Sequence, residues 1–162
     1  MIVATIIGMN AIAKPRGCTN FKLRHLMRQV ARLYDAEVAK SGLKTTQYSL
    51  LSHVLHLGPI RPVDLAQAMG VDASTLTRNL KPLMAEGWLV QGEGPDARSR
   101  LVEITDEGRK KRSEAQRHWR CAQEQLNQLL GVERVLALHA LIDESIAVLQ
   151  ATDETREGEL DD

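Results

Sequence analysis

Between Pro62 and Ile104 the chain carries four patterns in unbroken order: a short helical stripe, a tight corner, a second helical stripe and two alternating runs. The first stripe, about Pro62 to Met69, offers Val63, Leu65, Ala66 and Met69 to a core. Pro62 suits its first turn, where a missing N–H loses nothing. Gly70 stands where a left-handed residue ends a helix, Val71 follows as an apolar plug, and Asp72 is a suitable N-cap for what comes next. The second stripe, Ala73 to Glu86, turns Leu76, Leu80, Leu83 and Met84 inward and stops at Gly87. Trp88 to Gln91 and Arg100 to Ile104 then flank Gly92-Glu93-Gly94-Pro95-Asp96, which reads as a β-hairpin with a long tip. Helix, turn, helix, hairpin in that order leaves few folds available.

The flanks are helical. From Phe21 to Lys40, Leu23, Leu26, Met27, Val30, Leu33 and Tyr34 recur at three-and-four spacing, closed by Ser41-Gly42. Thr45 or Thr46 is expected to cap a helix bearing Leu50, Leu51, Val54 and Leu55, which Gly58-Pro59 ends. Thr105 is expected to cap a long helix to about Leu130. Its stripe of Ala115, Trp119, Ala122, Leu126 and Leu129 alternates steps of four and three, as in a helix packed on another helix. Gly131 breaks it, and a last helix is expected from about Glu133 to Gln150. From Ala151 the chain is short and acidic, and disorder is expected. Only five of the 162 residues are aromatic, so the core must be aliphatic. The fold class expected is mainly α with a small β-hairpin (α+β). Residues 1–19 form an N-terminal extension, 20–150 one domain, and 151–162 an acidic tail.

Formal net charge is zero, but its distribution is uneven. Residues 1–60 carry eight Lys/Arg against two Asp/Glu (+6), residues 61–120 eleven against nine (+2), and residues 121–162 two against ten (−8). Such a chain can hold one face against a polyanion and the other away from it. Cys18 and Cys121 form no metal-type spacing, so a reduced, cytoplasmic protein is expected. The apolar run from Met1 to Ala13 lacks a preceding basic region and is too short to span a bilayer, so neither a secretory signal nor a membrane partner is expected. Met9 is an alternative start.

With Leu76, Leu80 and Leu83 inward, a step of about 100° per residue puts Ser74, Arg78, Lys81 and Pro82 on the outward side, flanked by Thr75 and Thr77. Small hydroxyls permit close approach, an arginine reaches guanine edges or phosphate, and the helix N-terminus favours phosphate. Pro82 cannot donate to the Arg78 carbonyl and is expected to kink the last turn. Arg98 and Arg100 lie at or near the hairpin tip, where they could enter a minor groove. Asp96 suits a partner that aims a nearby arginine. Double-stranded DNA is therefore the expected partner.

The ordered set resembles the multiple-antibiotic-resistance regulator (MarR) family. The residues that carry the likeness are Gly42-Leu43, Gln47, Leu50-Leu51, Gly58-Pro59, Leu65-Ala66, Gly70-Val71-Asp72, Ser74 to Leu80, Gly87-Trp88-Leu89-Val90 and the run Asp96 to Gly108. The resemblance covers roughly Phe21 to Gln150. It implies a winged helix-turn-helix (about 45–104) flanked by N- and C-terminal dimerisation helices (about 20–40 and 105–150). It further implies a homodimeric repressor with recognition helices in successive major grooves of a pseudo-palindromic operator, Arg98 at the wing tip, and Asp96 positioning Arg78. In this family a cleft beside the first two helices and the long helix often takes small phenolic or aromatic carboxylate effectors. Polar residues expected to line it are His25, Arg28, Tyr48, Ser52 and His56, with Met27 and Leu51 as walls. Two positions depart from the family: Lys44 replaces the usual capping Thr, and Ala97 a common second wing arginine.

Two alternatives stay open. A peroxide-sensing branch uses a cysteine near the start of the first helix; Cys18 lies close, although Asn20 aligns with that cysteine, and a Cys18–Cys121 disulfide between subunits is conceivable. A winged-helix protein-interaction module is the other, but it would not need Arg78, Lys81, Arg98 and Arg100 together. An enzyme is not expected, nor a cofactor or metal: His25, His53, His56, His118 and His139 are scattered, and His53/His56 has no evident third ligand.

Overall fold

The structure, a computed structural model of the chain, describes residues 16–94 and 100–158. Helix α1 spans Thr19–Val38 and passes through a 3-10 turn, Ala39–Ser41, to Gly42 in the left-handed conformation. Then follow α2 (Thr45–Leu57), α3 (Pro62–Met69), α4 (Ala73–Ala85), β1 (Leu89–Glu93), β2 (Arg100–Ile104), α5 (Asp106–Leu130) and α6 (Val132–Gly158). The mainly helical class with a two-stranded hairpin is the one the apolar patterns require. The chain divides into two compact units, one of His25–Gln123 and one of Met1–Arg24 with Glu124–Asp162.

The first unit is built around aliphatic side chains. Leu50, Leu51 and Val54 of α2 meet Leu65 and Ala66 of α3, Leu76, Leu80 and Leu83 of α4, and Leu89, Val102 and Ile104 of the hairpin in one buried cluster. The strands pair antiparallel from Leu89 opposite Ile104 to Glu93 opposite Arg100. Ile60 adds a one-residue bridge to Val102, its N–H reaching the Val102 carbonyl at 3.1 Å and its own carbonyl accepting at 2.8 Å. No sequence pattern announced that bridge. It fastens the α2–α3 connection to the hairpin, so the wing and the helical corner share one framework.

Local chemistry fixes the two junctions that matter. At the corner, Gly70 is left-handed (φ 63) and the Val71 N–H bonds the Ala66 carbonyl at 3.0 Å. At the far side, Thr105 takes the Gly108 N–H on its hydroxyl (3.0 Å) and donates that hydroxyl to the Gly87 carbonyl (2.7 Å). The expected cap of α5 therefore also staples the end of the α4–β1 turn.

Several expectations need correcting. Neither Thr45 nor Thr46 caps α2: Lys44 is the N-cap residue, its N–H bonding the Gln47 side chain at 2.9 Å, while the Thr45 hydroxyl is buried without a partner. A threonine already inside the first turn is too far along to cap it. Val63 was expected in the core but is 61% exposed, because the single inward face of the short α3 is taken by Leu65, Ala66 and Met69. Leu23 and Met27 of α1 and Leu129 of α5 are likewise exposed, although Val30, Leu33 and Tyr34 are half-buried. The apolar stripes are real, but one chain does not cover them. The hairpin starts at Leu89, one residue later than expected, because the Trp88 N–H closes the turn on the Leu83 carbonyl (2.9 Å). Finally, α6 continues to Gly158 instead of ending at Gln150, since nothing from Ala151 to Glu157 breaks a helix.

The second unit is described by α6. Val135 is buried, whereas Leu136, Leu141, Ile142, Ile146, Val148 and Leu149 are exposed. Among the described residues, Val132–Thr152 is long and apolar enough to cross a membrane by length and composition alone.

Candidate nucleic-acid interface

Helix α4 presents the face the sequence implied. Leu76, Leu80 and Leu83 are buried and Met84 half-buried, while Ser74, Thr77, Arg78, Lys81 and Pro82 are exposed and Thr75 is half-buried. The helix runs through Pro82 to Ala85, with the proline on the exposed side.

Asp72 organises the first turn. Its carboxylate accepts the Thr75 N–H (2.8 Å), the Ser74 hydroxyl (2.5 Å) and the Thr75 hydroxyl (2.7 Å). The Ser74 hydroxyl, then the Thr75 hydroxyl and N–H, hold its pKa well below the ordinary carboxylate range. Thr77 donates to the Ala73 carbonyl at 2.8 Å. All three hydroxyl protons are thus committed inside the helix, and what each offers outward is acceptor capacity. The Arg78 guanidinium donates to the Thr75 hydroxyl oxygen at 3.3 Å, so the chain Asp72–Thr75–Arg78 aims an exposed cation along the helix face. The sequence pattern placed these residues together but did not foresee Thr75 as the link.

Of the wing residues, Arg100 opens β2, exposed, opposite Glu93. Asp96 and Arg98 lie outside the described residues. At the wing root, the Lys111 ammonium sits 5.6 Å from the Trp88 ring centroid and pairs with Glu114 at 3.1 Å. Arg61, just before α3, forms a two-point pair with Asp64 (2.6 and 3.0 Å).

The five residues expected at an effector cleft are only partly gathered. Tyr48 and Ser52, one turn apart on α2, both meet Arg112 of α5: its Nε donates to the Ser52 hydroxyl at 3.1 Å, and its guanidinium carbon lies 5.8 Å from the Tyr48 ring centroid. Arg112 also donates to the Gln116 side chain at 2.7 Å. Trp119 stands 6.1 Å from both Tyr48 and Tyr34. The Tyr34 hydroxyl donates to Gln123 at 2.5 Å, and burial pushes its pKa up, keeping it a donor. His25, Arg28 and His56 are exposed; His25 meets Gln29 at 3.4 Å. Met27 is also exposed, whereas Leu51 is buried in the core. A separate cavity of about 360 Å³ between α1 and α2 is lined by Asp35, Ala39, Leu43, Lys44 and Thr46, none of them among the five. His53 bonds the Ser49 carbonyl through Nδ1 (2.8 Å). Cys18 and Cys121 are exposed thiols in different units. Sequence reasoning missed Arg112, which stands in a polar run that reads as a solvated face.

A packed helical corner, an exposed second helix and a hairpin bridged to the corner define a winged helix-turn-helix protein. Comparison with known proteins names the family. A model described as "MarR family" matches residues 41–99. A Bacillus subtilis HTH-type transcriptional regulator, YwoH, is 33% identical over 99 residues, covering 59% of this chain and 72% of that one. The Mycobacterium tuberculosis transcriptional regulator MosR, solved in complex with DNA, is 30% identical with a TM-score of 0.65, covering 80% of this chain and 98% of that one. A mutant of Escherichia coli MarR complexed with operator DNA is 25% identical with a TM-score of 0.71, covering 76% and 91%. This chain belongs to the MarR family of transcription regulators, and is not an enzyme.

Proposed function

We propose that the chain is a cytoplasmic, homodimeric repressor that places α4 in the major groove of a pseudo-palindromic operator and is released by a small phenolic or aromatic acid. The observation that carries the DNA reading is the Asp72–Thr75–Arg78 chain, which holds an exposed guanidinium on the outward face of a helix whose opposite face buries Leu76, Leu80 and Leu83. Preordering a long cation lowers the entropy lost when it reads a base edge or a phosphate. Lys81 lies one turn along the same face, Ser74 and Thr77 offer acceptors, and exposed Arg100 stands opposite Glu93 at the end of the hairpin away from its root. Two DNA-bound relatives of the same fold support this reading.

The apolar surface of α6 supports the homodimer. Leu136, Ile142, Ile146 and Leu149 are exposed along one helix, which a second copy would cover. The same helix carries Asp143 and Glu144 side by side at mid-length, an expensive pair inside a bilayer, so a protein partner explains it better than a membrane. Release by an aromatic acid is supported by Tyr48, Trp119 and Arg112, an aromatic wall beside a half-buried cation.

Selection of genomic fragments bound by the purified protein, followed by footprinting, tests the whole reading. It requires a recurrent two-fold motif protected over successive major grooves. Retention of random fragments alone, with no motif, would reject it in favour of a protein-interaction role.

A further inference from the structure

We propose that the cavity between the end of α1 and the start of α2 is a site for a free α-amino acid, whose ammonium goes to Asp35 and whose carboxylate goes to Lys44. None of the residues that line it is among the five expected at the effector cleft, and the site is independent of that reading.

The cavity measures about 360 Å³, within the range of about 300–1,000 Å³ usual for small-molecule sites. Its lining combines a carboxylate (Asp35), an ammonium (Lys44), a hydroxyl (Thr46) and an apolar part, Ala39 and the buried Leu43. The two opposite charges share one cavity yet do not pair with each other, and neither forms an ion pair among the described residues. Lys40, the cation that lies between them in the chain, is taken by Glu37 at 2.7 Å.

Both charges also stand at the wrong ends of their helices. A helix C-terminus carries partial negative charge and favours a cation; an N-terminus carries partial positive charge and favours an anion. Asp35 is in the last turn of α1, which holds no basic residue, and Lys44 is the N-cap residue of α2, whose first turn holds no acidic one. Each side chain thus adds to the charge of its helix end instead of offsetting it. A ligand ammonium at Asp35 meets negative charge from the side chain and the helix end together, and a carboxylate at Lys44 meets positive charge from both. A molecule that carries both signs answers both ends at once, which no single cation or anion does. Ala39 and Leu43 leave apolar surface for a short aliphatic side chain, and the Thr46 hydroxyl supplies a further donor for the carboxylate.

Isothermal titration of the full chain with L-leucine tests the site. The controls are leucinamide, which keeps the ammonium but not the carboxylate, and N-acetyl-leucine, which keeps the carboxylate but not the ammonium. Leucine should bind at one site per chain and each control about tenfold or more weaker, because each leaves one charged contact unmade. Asp35→Asn and Lys44→Gln, both at exposed positions, should each weaken leucine by a similar factor. Asp35→Asn should leave the residual binding of N-acetyl-leucine unchanged, and Lys44→Gln that of leucinamide. Loss of folding cannot produce that crossed pattern, and if one variant does not fold, the other and the two controls decide. Failure of leucine, valine and glycine alike to bind, equal affinity for leucine and both controls, or full leucine affinity in either folded variant would overturn the site.

Discussion

Gly108, in the first turn of α5, lies so close to the Trp88 carbonyl that a β carbon has no room between them, and such a carbon would also come within 2.8 Å of the Ile104 side chain. The Trp88 carbonyl also accepts the Thr105 N–H at 3.1 Å, so the start of the long helix is pressed directly onto the root of the wing. Backbone cannot retreat as a side-chain tip can. Gly108→Ala should therefore destabilise the protein by about 1–3 kcal/mol, the usual range for forced overpacking. Urea unfolding would measure it, and an unchanged midpoint would show that the junction yields freely.

Arg78 is aimed by Thr75, which is itself held by Asp72. Arg78→Ala should cost roughly 1–3 kcal/mol of operator binding, with discrimination relaxed at a single base position if the guanidinium reads a base edge. Thr75→Val keeps the shape but removes the oxygen and should lose a smaller part at the same position. Binding measured across a set of single-base operator variants separates the cases: an equal loss on every variant would assign Arg78 to phosphate.

Arg98 falls between β1 and β2 in the sequence, and its expected work is electrostatic. Arg98→Ala should weaken operator binding at moderate salt and reduce the slope of log affinity against log salt by about one ion equivalent. Titration at four or five salt concentrations gives that slope directly, and an unaltered slope and affinity would remove Arg98 from the interface.

What the sequence made legible was local. Asp72 and Thr105 cap the N–H three residues on, and Leu76, Leu80 and Leu83 repeat within one helix, so both signals are written in adjacent residues. What it hid depends on distance in the chain. Ile60 shows no alternation of its own, and its pairing with Val102 exists only after the chain folds back. Arg112 sits in the run Arg109-Lys110-Lys111-Arg112, and only the placement of Ser52 and Tyr48 beside it separates it from its solvated neighbours. Leu23, Met27 and Leu129 teach a related lesson: periodicity marks a face as apolar without saying what covers it.

Asp72 makes the helix cap pH-sensitive. Bonds from Ser74 and Thr75 lower its pKa in the folded protein below the ordinary 3.8, so its ionised form contributes stability in full above that value. As pH falls through 3.8 towards the folded pKa, that contribution is lost. Asp72→Asn keeps an acceptor but no charge. The variant should unfold at lower urea than the wild type at about pH 7, and the gap should hold down to pH 3.8 and then narrow steadily as pH falls towards the folded pKa, the other carboxylates cancelling in the difference. A gap independent of pH would mean that the cap works as a neutral acceptor only.

Ile146 offers the sharpest test of the proposed homodimer. It is 47% exposed on α6, with Leu149 on the next turn 66% exposed and Ile142 on the preceding one 40% exposed. A single helix has no reason to repeat large apolar residues on an uncovered face, and burying them in a second copy recovers about 25 cal/mol for each Å² removed from water. Ile146→Glu would force a charge into that interface without touching the core of the winged unit, which is built from residues of the other compact unit. Sedimentation equilibrium should then find monomer at concentrations where the wild type is dimeric, with helical content unchanged and operator binding reduced to the weak affinity of one half-site. A dimer that survives Ile146→Glu at those concentrations would move the interface off this face of α6.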